Sequence, residues 1–138
     1  MNRLLPLLAI PLGFAVGHVA FQLANHSATW TLDTSNARAI DGDTLRTGNT
    51  RLRLLNIDAP ELPGHCRPGR HCAPGNPWES MAALQRLLST PDGLTCWSHR
   101  LDVYQRPLVR CRVNAFAGTE SDVSTILLRD GYAQEYRP

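Results

Sequence analysis

The chain has no lysine: all 14 of its basic residues are arginine. Every cation it can offer is therefore a guanidinium, the better bidentate partner for phosphate. It also lacks a strong charge of either sign. A formal net charge of +2 neither announces a nucleic-acid binder nor excludes one. There is no internal repeat and no low-complexity tract, and the glycines follow no collagen-like period. At 138 residues there is no room for two sizeable domains, and at 43% hydrophobic the chain is too apolar for disorder.

Charge is missing most conspicuously near the start. Arg3 supplies a positive flank, and Leu4 to Ala24 then carry no charged residue. About 20 apolar residues are enough to span a bilayer, whereas a signal-peptide core is shorter. No clean small-x-small cleavage site follows: Gln22-Leu23-Ala24 and His26-Ser27-Ala28 both begin with a bulky residue. Residues 1–28 are expected to be a signal peptide or an N-terminal membrane anchor. The positive-inside rule sends residues 29–138 across the membrane, periplasmic or secreted, with residues 4–24 as the point of inner-membrane association.

Four cysteines agree with an oxidising address. Three pairings are open. Cys66 and Cys72 bracket the Pro/Gly-rich RPGRH, which closes easily on itself, and Cys96 and Cys111 lie in strand-like segments, so Cys66–Cys72 with Cys96–Cys111 is favoured. The rival is a zinc site at His65-Cys66 and His71-Cys72, but adjacent His-Cys pairs lack the usual ligand spacing.

The remaining residues predict one small α+β domain. Thr29–Ile40 form a first strand interrupted at Asp33–Asn36. In TLRTGNTRLRLL a two-residue turn at Gly48-Asn49 sets Leu45 opposite Leu52 and Arg46 opposite Arg51. Leu45, Leu52 and Leu54 then share the inner face, with Thr44, Arg46, Arg51 and Arg53 outward. Residues 62–76, rich in proline and glycine, form a loop. Asn76 caps a helix with Pro77 in its first turn and Trp78, Met81, Leu84 and Leu88 on one stripe. Leu94–Ser98 and Leu108–Val113 are further strands, and Ser121 caps a short last helix ending before Gly131. Five strands and two short helices predict a Greek-key barrel of the OB type.

Chemistry concentrates in two acidic segments, Asp41-Gly42-Asp43-Thr44 and Asn56-Ile57-Asp58-Ala59-Pro60-Glu61. They flank the hairpin, so antiparallel pairing brings them to one end of the sheet. Clustered carboxylates call for a neutralising cation, and a hard divalent ion with oxygen ligands is the natural one. Strict alternation would turn Asp43 away from Arg53, so Asp43 is expected at a bend made possible by Gly42. An EF-hand is excluded, because its fifth and twelfth positions fall on Leu45 and Leu52.

The stretch IDGDTLRTGNTRLRLLNIDAPE resembles the signature of the staphylococcal nuclease (thermonuclease-like) family: DGDT, an Arg five residues before an Asp, then Asp-x-Pro-Glu. Tyr104-Gln105-Arg106 is similar to a Tyr-Gly-Arg turn of that family, with Gln105 in the place of Gly and Pro107 following. Leu127 to Ala133 echo its final Leu-x-x-x-Gly-x-Ala. The resemblance spans about residues 37–136. It implies Ca²⁺ held by Asp43, Asp58 and the backbone carbonyl of Ala59, with Asp41 and Thr44 in support. Glu61 becomes the general base, Arg53 and Arg106 grip the scissile phosphate, and Tyr104 touches substrate; apart from the resemblance, the groove of an OB barrel suits single strands, where Tyr104 or Tyr132 is expected to stack a base. The implied reaction is hydrolysis of phosphodiesters in single-stranded DNA or RNA, leaving a 3′-phosphate, with no obligate protein partner. The Cys66–Cys72 loop is extra to the pattern; Arg67 and Arg70 on it are expected as solvated charges, the other reading being contact with substrate backbone. Two competing expectations are an OB-fold module that binds nucleic acid or protein without turnover and a structural, disulfide-stapled domain.

Overall fold

A computed structural model describes residues 30–136, so the expected leader or anchor, residues 1–28, lies outside the described residues. Among those described, no helix is long and apolar enough to cross a membrane.

The fold is α+β. The interrupted first strand is β1 (Trp30–Leu32) and β2 (Arg38–Ala39). The hairpin is β3 (Thr44–Thr47) and β4 (Thr50–Leu54), in the register expected, with Leu45 opposite Leu52 and Arg46 opposite Arg51. Gly48 takes a φ of 54° in the two-residue turn, a conformation that costs a residue without Cβ little. A two-residue strand, β5 (Ile57–Asp58), follows. Then come helix α1 (Pro77–Leu88), strands β6 (Leu94–Leu101) and β7 (Pro107–Val113), a 3-10 turn at Gly118–Ser121, helix α2 (Val123–Arg129) and β8 (Gln134–Glu135).

Six strands form one mixed sheet in the order β1-β6-β7-β4-β3-β2, and β5 pairs with β8 as a separate ribbon. The closed five-stranded barrel expected from the sequence is therefore not seen. The sheet is open because the turn after Leu32 breaks its N-terminal segment. That segment pairs with β6 through β1 and with β3 through β2, without a continuous ladder between them. The β4–β7 pairing is parallel and aligns Arg53 with Leu108.

Leu45, Leu52, Leu54, Val109, Cys111 and Val113 from the sheet, Leu84 from α1 and Val123 and Leu127 from α2 are buried in one core. The buried face of α1 is Ser80, Ala83 and Leu84, flanked by the partly buried Leu87 and Leu88. This is a rotation from the expected stripe, and Trp78 ends 55% exposed. Small residues at 80 and 83 let the helix approach the sheet end closely, which a stripe led by Trp78 would prevent. Asn76 caps α1 as expected, accepting from the amides of Trp78 and Glu79. The cap of α2 is Asp122 rather than Ser121, whose hydroxyl is already engaged by the Gly118 carbonyl and the Arg112 Nε.

Both favoured disulfides are present, Cys66–Cys72 and Cys96–Cys111. Oxidised Cys66 and Cys72 leave no thiolates for the zinc alternative. Cys96 and Cys111 face one another directly across β6 and β7 in the buried core. Closing a 15-residue separation in the unfolded chain stabilises a protein by about 3 kcal/mol. The Cys96→Ala/Cys111→Ala double variant is expected to lose about that much in urea unfolding, with both strands still paired in the native state.

Candidate active site

The two acidic segments meet at one end of the β3–β4 hairpin. Asp43 lies just before β3, with its carbonyl accepting from the Leu54 amide at 2.8 Å, as the hairpin register requires. The expected bend precedes it. The Ile40 amide reaches the Thr44 carbonyl at 2.8 Å, and Asp41 Oδ1 accepts from the amides of Asp43 at 3.0 Å and Thr44 at 2.7 Å. This local side-chain-to-backbone closure is what Asp favours in turns. It frees Asp43 from strict alternation, so that its carboxylate reaches the face carrying Arg53.

Gly42 is the hinge of this arrangement for a steric reason. A Cβ built there would lie 2.6 Å from the Cβ atoms of both Ala59 and Ser80. Ser80 is held in turn by the hydrogen bond from its hydroxyl to the Tyr132 carbonyl. The first acidic segment, the second acidic segment and α1 thus converge on one glycine.

Arg53 joins the acids. Its NH1 pairs with Asp43 Oδ1, and its NH2 lies 3.1 Å from Asp58 Oδ1 and 3.1 Å from the Ile57 carbonyl. Asp43 and Asp58 are only 4% and 5% exposed. Asp43 Oδ2 accepts from the Ala59 amide at 2.7 Å, and Oδ1 accepts from the Thr44 hydroxyl at 3.1 Å. Thr44 is consequently buried, not on a wet outer face as the alternation predicted, and Arg53 is largely buried as well. Burial pulls the Arg53 guanidinium down from its ordinary pKa, opposed by the charges of Asp58 and Asp41. Burial likewise pushes the Asp41 carboxyl up, against its Thr44 hydrogen bonds and the charges of Arg53 and Arg106. Asp58 is also held from behind, because β5 pairs Asp58 with Gln134 of β8, a contact the sequence did not signal.

Glu61 joins this group through Arg70. The Arg70 guanidinium places NH2 2.9 Å from Asp58 Oδ1 and NH1 2.9 Å from Glu61 Oε1. Asp43, Arg53, Asp58, Arg70 and Glu61 form one alternating chain of charge. Arg70 was expected as a solvated surface charge; the signal available was its position nine residues after Glu61 in a short disulfide-closed loop. Arg67 is paired too, with NH1 2.8 Å from the Tyr104 hydroxyl.

Arg106 reaches the same side through the parallel β4–β7 register. Leu108, the second residue of β7, is aligned with Arg53, and Arg106 lies just before that strand, close enough for its charge to act on Arg53 and Asp41. The turn that aims it is built by Asp102. Asp102 Oδ1 accepts from the amides of Tyr104 at 2.8 Å and Arg106 at 2.9 Å, and Oδ2 accepts from Arg106 Nε at 2.7 Å. Gln105 occupies a φ of 62°, the conformation for which glycine is the ordinary choice, and the Asp102 hydrogen bonds hold it there. In the sequence only its spacing of four from Arg106 marks Asp102. The Tyr104 ring lies beside two guanidiniums, Arg67 at 5.3 Å and Arg106 at 5.4 Å. Tyr132 is placed elsewhere: its ring lies against Arg86 of α1, at 5.8 Å.

Among the described residues no three His, Cys, Asp or Glu side chains form a group that could hold a metal ion. The guanidiniums of Arg53 and Arg70 stand between the carboxylates instead. The donors fit a hard divalent cation in kind, since Asp43 and Asp58 offer buried carboxylate oxygens, the ligand type such an ion takes. Ala59 is tied to Asp43 through its amide.

No protein-family model matches the chain, and a search of curated proteins gives no match.

Gly42→Ala is expected to destabilise the protein by about 1–3 kcal/mol through overpacking against Ala59 and Ser80, measured by thermal or urea unfolding. A second expectation concerns acid. Burial raises the Asp102 carboxyl, but the hydrogen bonds from Arg106 and Tyr104 and the Arg106 charge outweigh it, so its pKa falls below the ordinary value. A carboxyl depressed on folding stabilises fully above its unfolded pKa, about 4, and that contribution fades as pH drops through the folded value. Asp102→Asn should therefore unfold more easily than the wild type at pH 7, by a margin that narrows below pH 4 in parallel urea titrations.

Proposed function

We propose that the protein is an exported, calcium-dependent nuclease of the thermonuclease-like kind, hydrolysing phosphodiester bonds of single-stranded DNA or RNA. The observation that carries this reading is the sharing of Arg53 between Asp43 and Asp58, two buried carboxylates from segments 15 residues apart. A guanidinium so placed offers charge-assisted donors to a phosphate beside a cation-binding pair. The two disulfides support an oxidising, extracytoplasmic address. The OB-type relation is supported by the two edge strands of the sheet, β1 and β2, being pieces of one short segment.

In this reading Asp43 and Asp58, with the Ala59 carbonyl, would hold the Ca²⁺. When bound, the ion neutralises charge on a phosphate oxygen. Glu61 accepts a proton from the attacking water, as a carboxylate within hydrogen-bond reach can. Water oxygen bonds to phosphorus while the bond to the 5′ oxygen breaks, and that oxygen takes a proton from solvent, leaving a 3′-phosphate and a 5′-hydroxyl. Arg53 and Arg106 stabilise the negative charge that builds on the phosphoryl oxygens. Asp102 fixes the Arg106 guanidinium by Nε, and its terminal NH groups have no hydrogen-bond partner among the described residues. The exposed ring of Tyr104 is available for a base to stack on.

The test incubates the full-length oxidised protein with single-stranded DNA in calcium or in chelator. Cleavage is expected only with calcium, with 3′-phosphate ends, and Glu61→Gln is expected to lower the rate by at least ~100-fold. Binding without cleavage would replace the nuclease with a binding module; neither binding nor cleavage would leave a structural domain.

A further inference from the structure

The loop between Cys66 and Cys72 is a built element. Arg67-Pro68-Gly69-Arg70 forms a β-turn in which the Arg70 amide donates to the Arg67 carbonyl at 3.1 Å and Gly69 takes a φ of 79°. Pro followed by a positive-φ Gly is the pattern of a type II turn. The disulfide closes the chain immediately outside this turn, with the Cys66 and Cys72 Cα atoms 6.1 Å apart. The two arginines are thus the first and last residues of a tightly stapled turn, and they take different partners. Arg70 spans Asp58 and Glu61. Arg67 reaches Tyr104, whose ring also lies beside Arg106. Both remain exposed at the surface, with the Arg70 side chain at 40%.

Local charge shows what these two residues change. Five carboxylates, Asp41, Asp43, Asp58, Glu61 and Asp102, face four guanidiniums, Arg53, Arg67, Arg70 and Arg106, which leaves the site one unit negative. A divalent cation makes it one unit positive. Without Arg67 and Arg70 the same cation-loaded site would stay negative and repel a polyanion. The loop decides the sign of the field that a nucleic acid meets.

We propose that the disulfide-closed loop is a phosphate-binding arm, in which Arg67 and Arg70 take backbone phosphates flanking the scissile one. The proposal rests on the nuclease reading for the identity of its ligand, a single-stranded nucleic acid. In the free protein Asp58, Glu61 and Tyr104 hold the two guanidiniums in place.

The test measures binding of a fluorescent single-stranded oligothymidylate to full-length oxidised protein by anisotropy, in calcium, across a salt series. A Glu61→Gln background prevents cleavage. Each phosphate contact contributes about 0.7 to the slope of log affinity against log salt for single strands. Arg67→Gln/Arg70→Gln is expected to lower the slope by about 1.4 and to weaken binding at least ~10-fold at about 0.1 M salt. Arg67→Lys/Arg70→Lys is expected to keep the slope, because the charge is kept. An unchanged slope in the glutamine double variant overturns the arm, even if affinity falls, since damage to the fold lowers affinity without removing a phosphate contact. Absence of binding by the parent overturns it as well. Cleavage by the protein with Glu61 intact is scored separately. A reduced slope without cleavage keeps the arm and removes the nuclease, whereas cleavage with an unmoved slope removes the arm alone.

Discussion

The Arg53 guanidinium, largely buried and shared by Asp43 and Asp58, is the interaction on which the rest of this sheet end depends. Two carboxylates as buried as these repel one another and resist ionisation unless a positive charge lies between them. Removing one member of such a buried group leaves uncompensated charge and costs about 3–5 kcal/mol. The surrounding structure fits that requirement. Asp41 folds the backbone so that Asp43 can turn toward Arg53, and Gly42 gives Ala59 and Ser80 room to close over the bend. The β5–β8 ribbon holds Asp58 from the other side.

The same end of the molecule is assembled from parts with little stability of their own. The bend at 41–43, the turn at 102–106 and the loop at 66–72 are short and irregular. Each is held by a local device: an aspartate accepting two amides in the first two, a disulfide and a Pro-Gly turn in the third. Behind them stands a well-packed core of Leu45, Leu52, Leu54, Val109 and Val113, stapled by Cys96–Cys111. Strand β4 therefore carries Arg53 and the short β5 carries Asp58, while irregular segments carry Asp41, Asp43, Glu61, Asp102, Arg106 and the two loop arginines.

Much of this was legible because it depends on nearest neighbours in the chain. The register of the β3–β4 hairpin follows from a two-residue turn and the alternation of leucines. The helix start follows from Asn76-Pro77. Both disulfides follow from a short closable loop and from two strand-like segments. The need for a bend at Gly42 followed from the conflict between strand alternation and the expected meeting of Asp43 with Arg53. The rotation of α1 was not legible, since the small residues that let it approach acquire meaning only opposite Gly42 and Ala59.

By itself, then, the sequence determined the hairpin, the Asn76 cap, the staples and the convergence of two acidic segments, all settled by local geometry and period. Tertiary structure alone decided which charge meets which. Arg70 pairs with Asp58 and Glu61, Arg67 crosses to Tyr104, Asp102 takes Arg106, and Tyr132 turns to Arg86. It also decided that the sheet stays open. The physical reason is reach: a long arginine side chain can find any acid within several ångströms, and only the packing of distant segments says which acids those are.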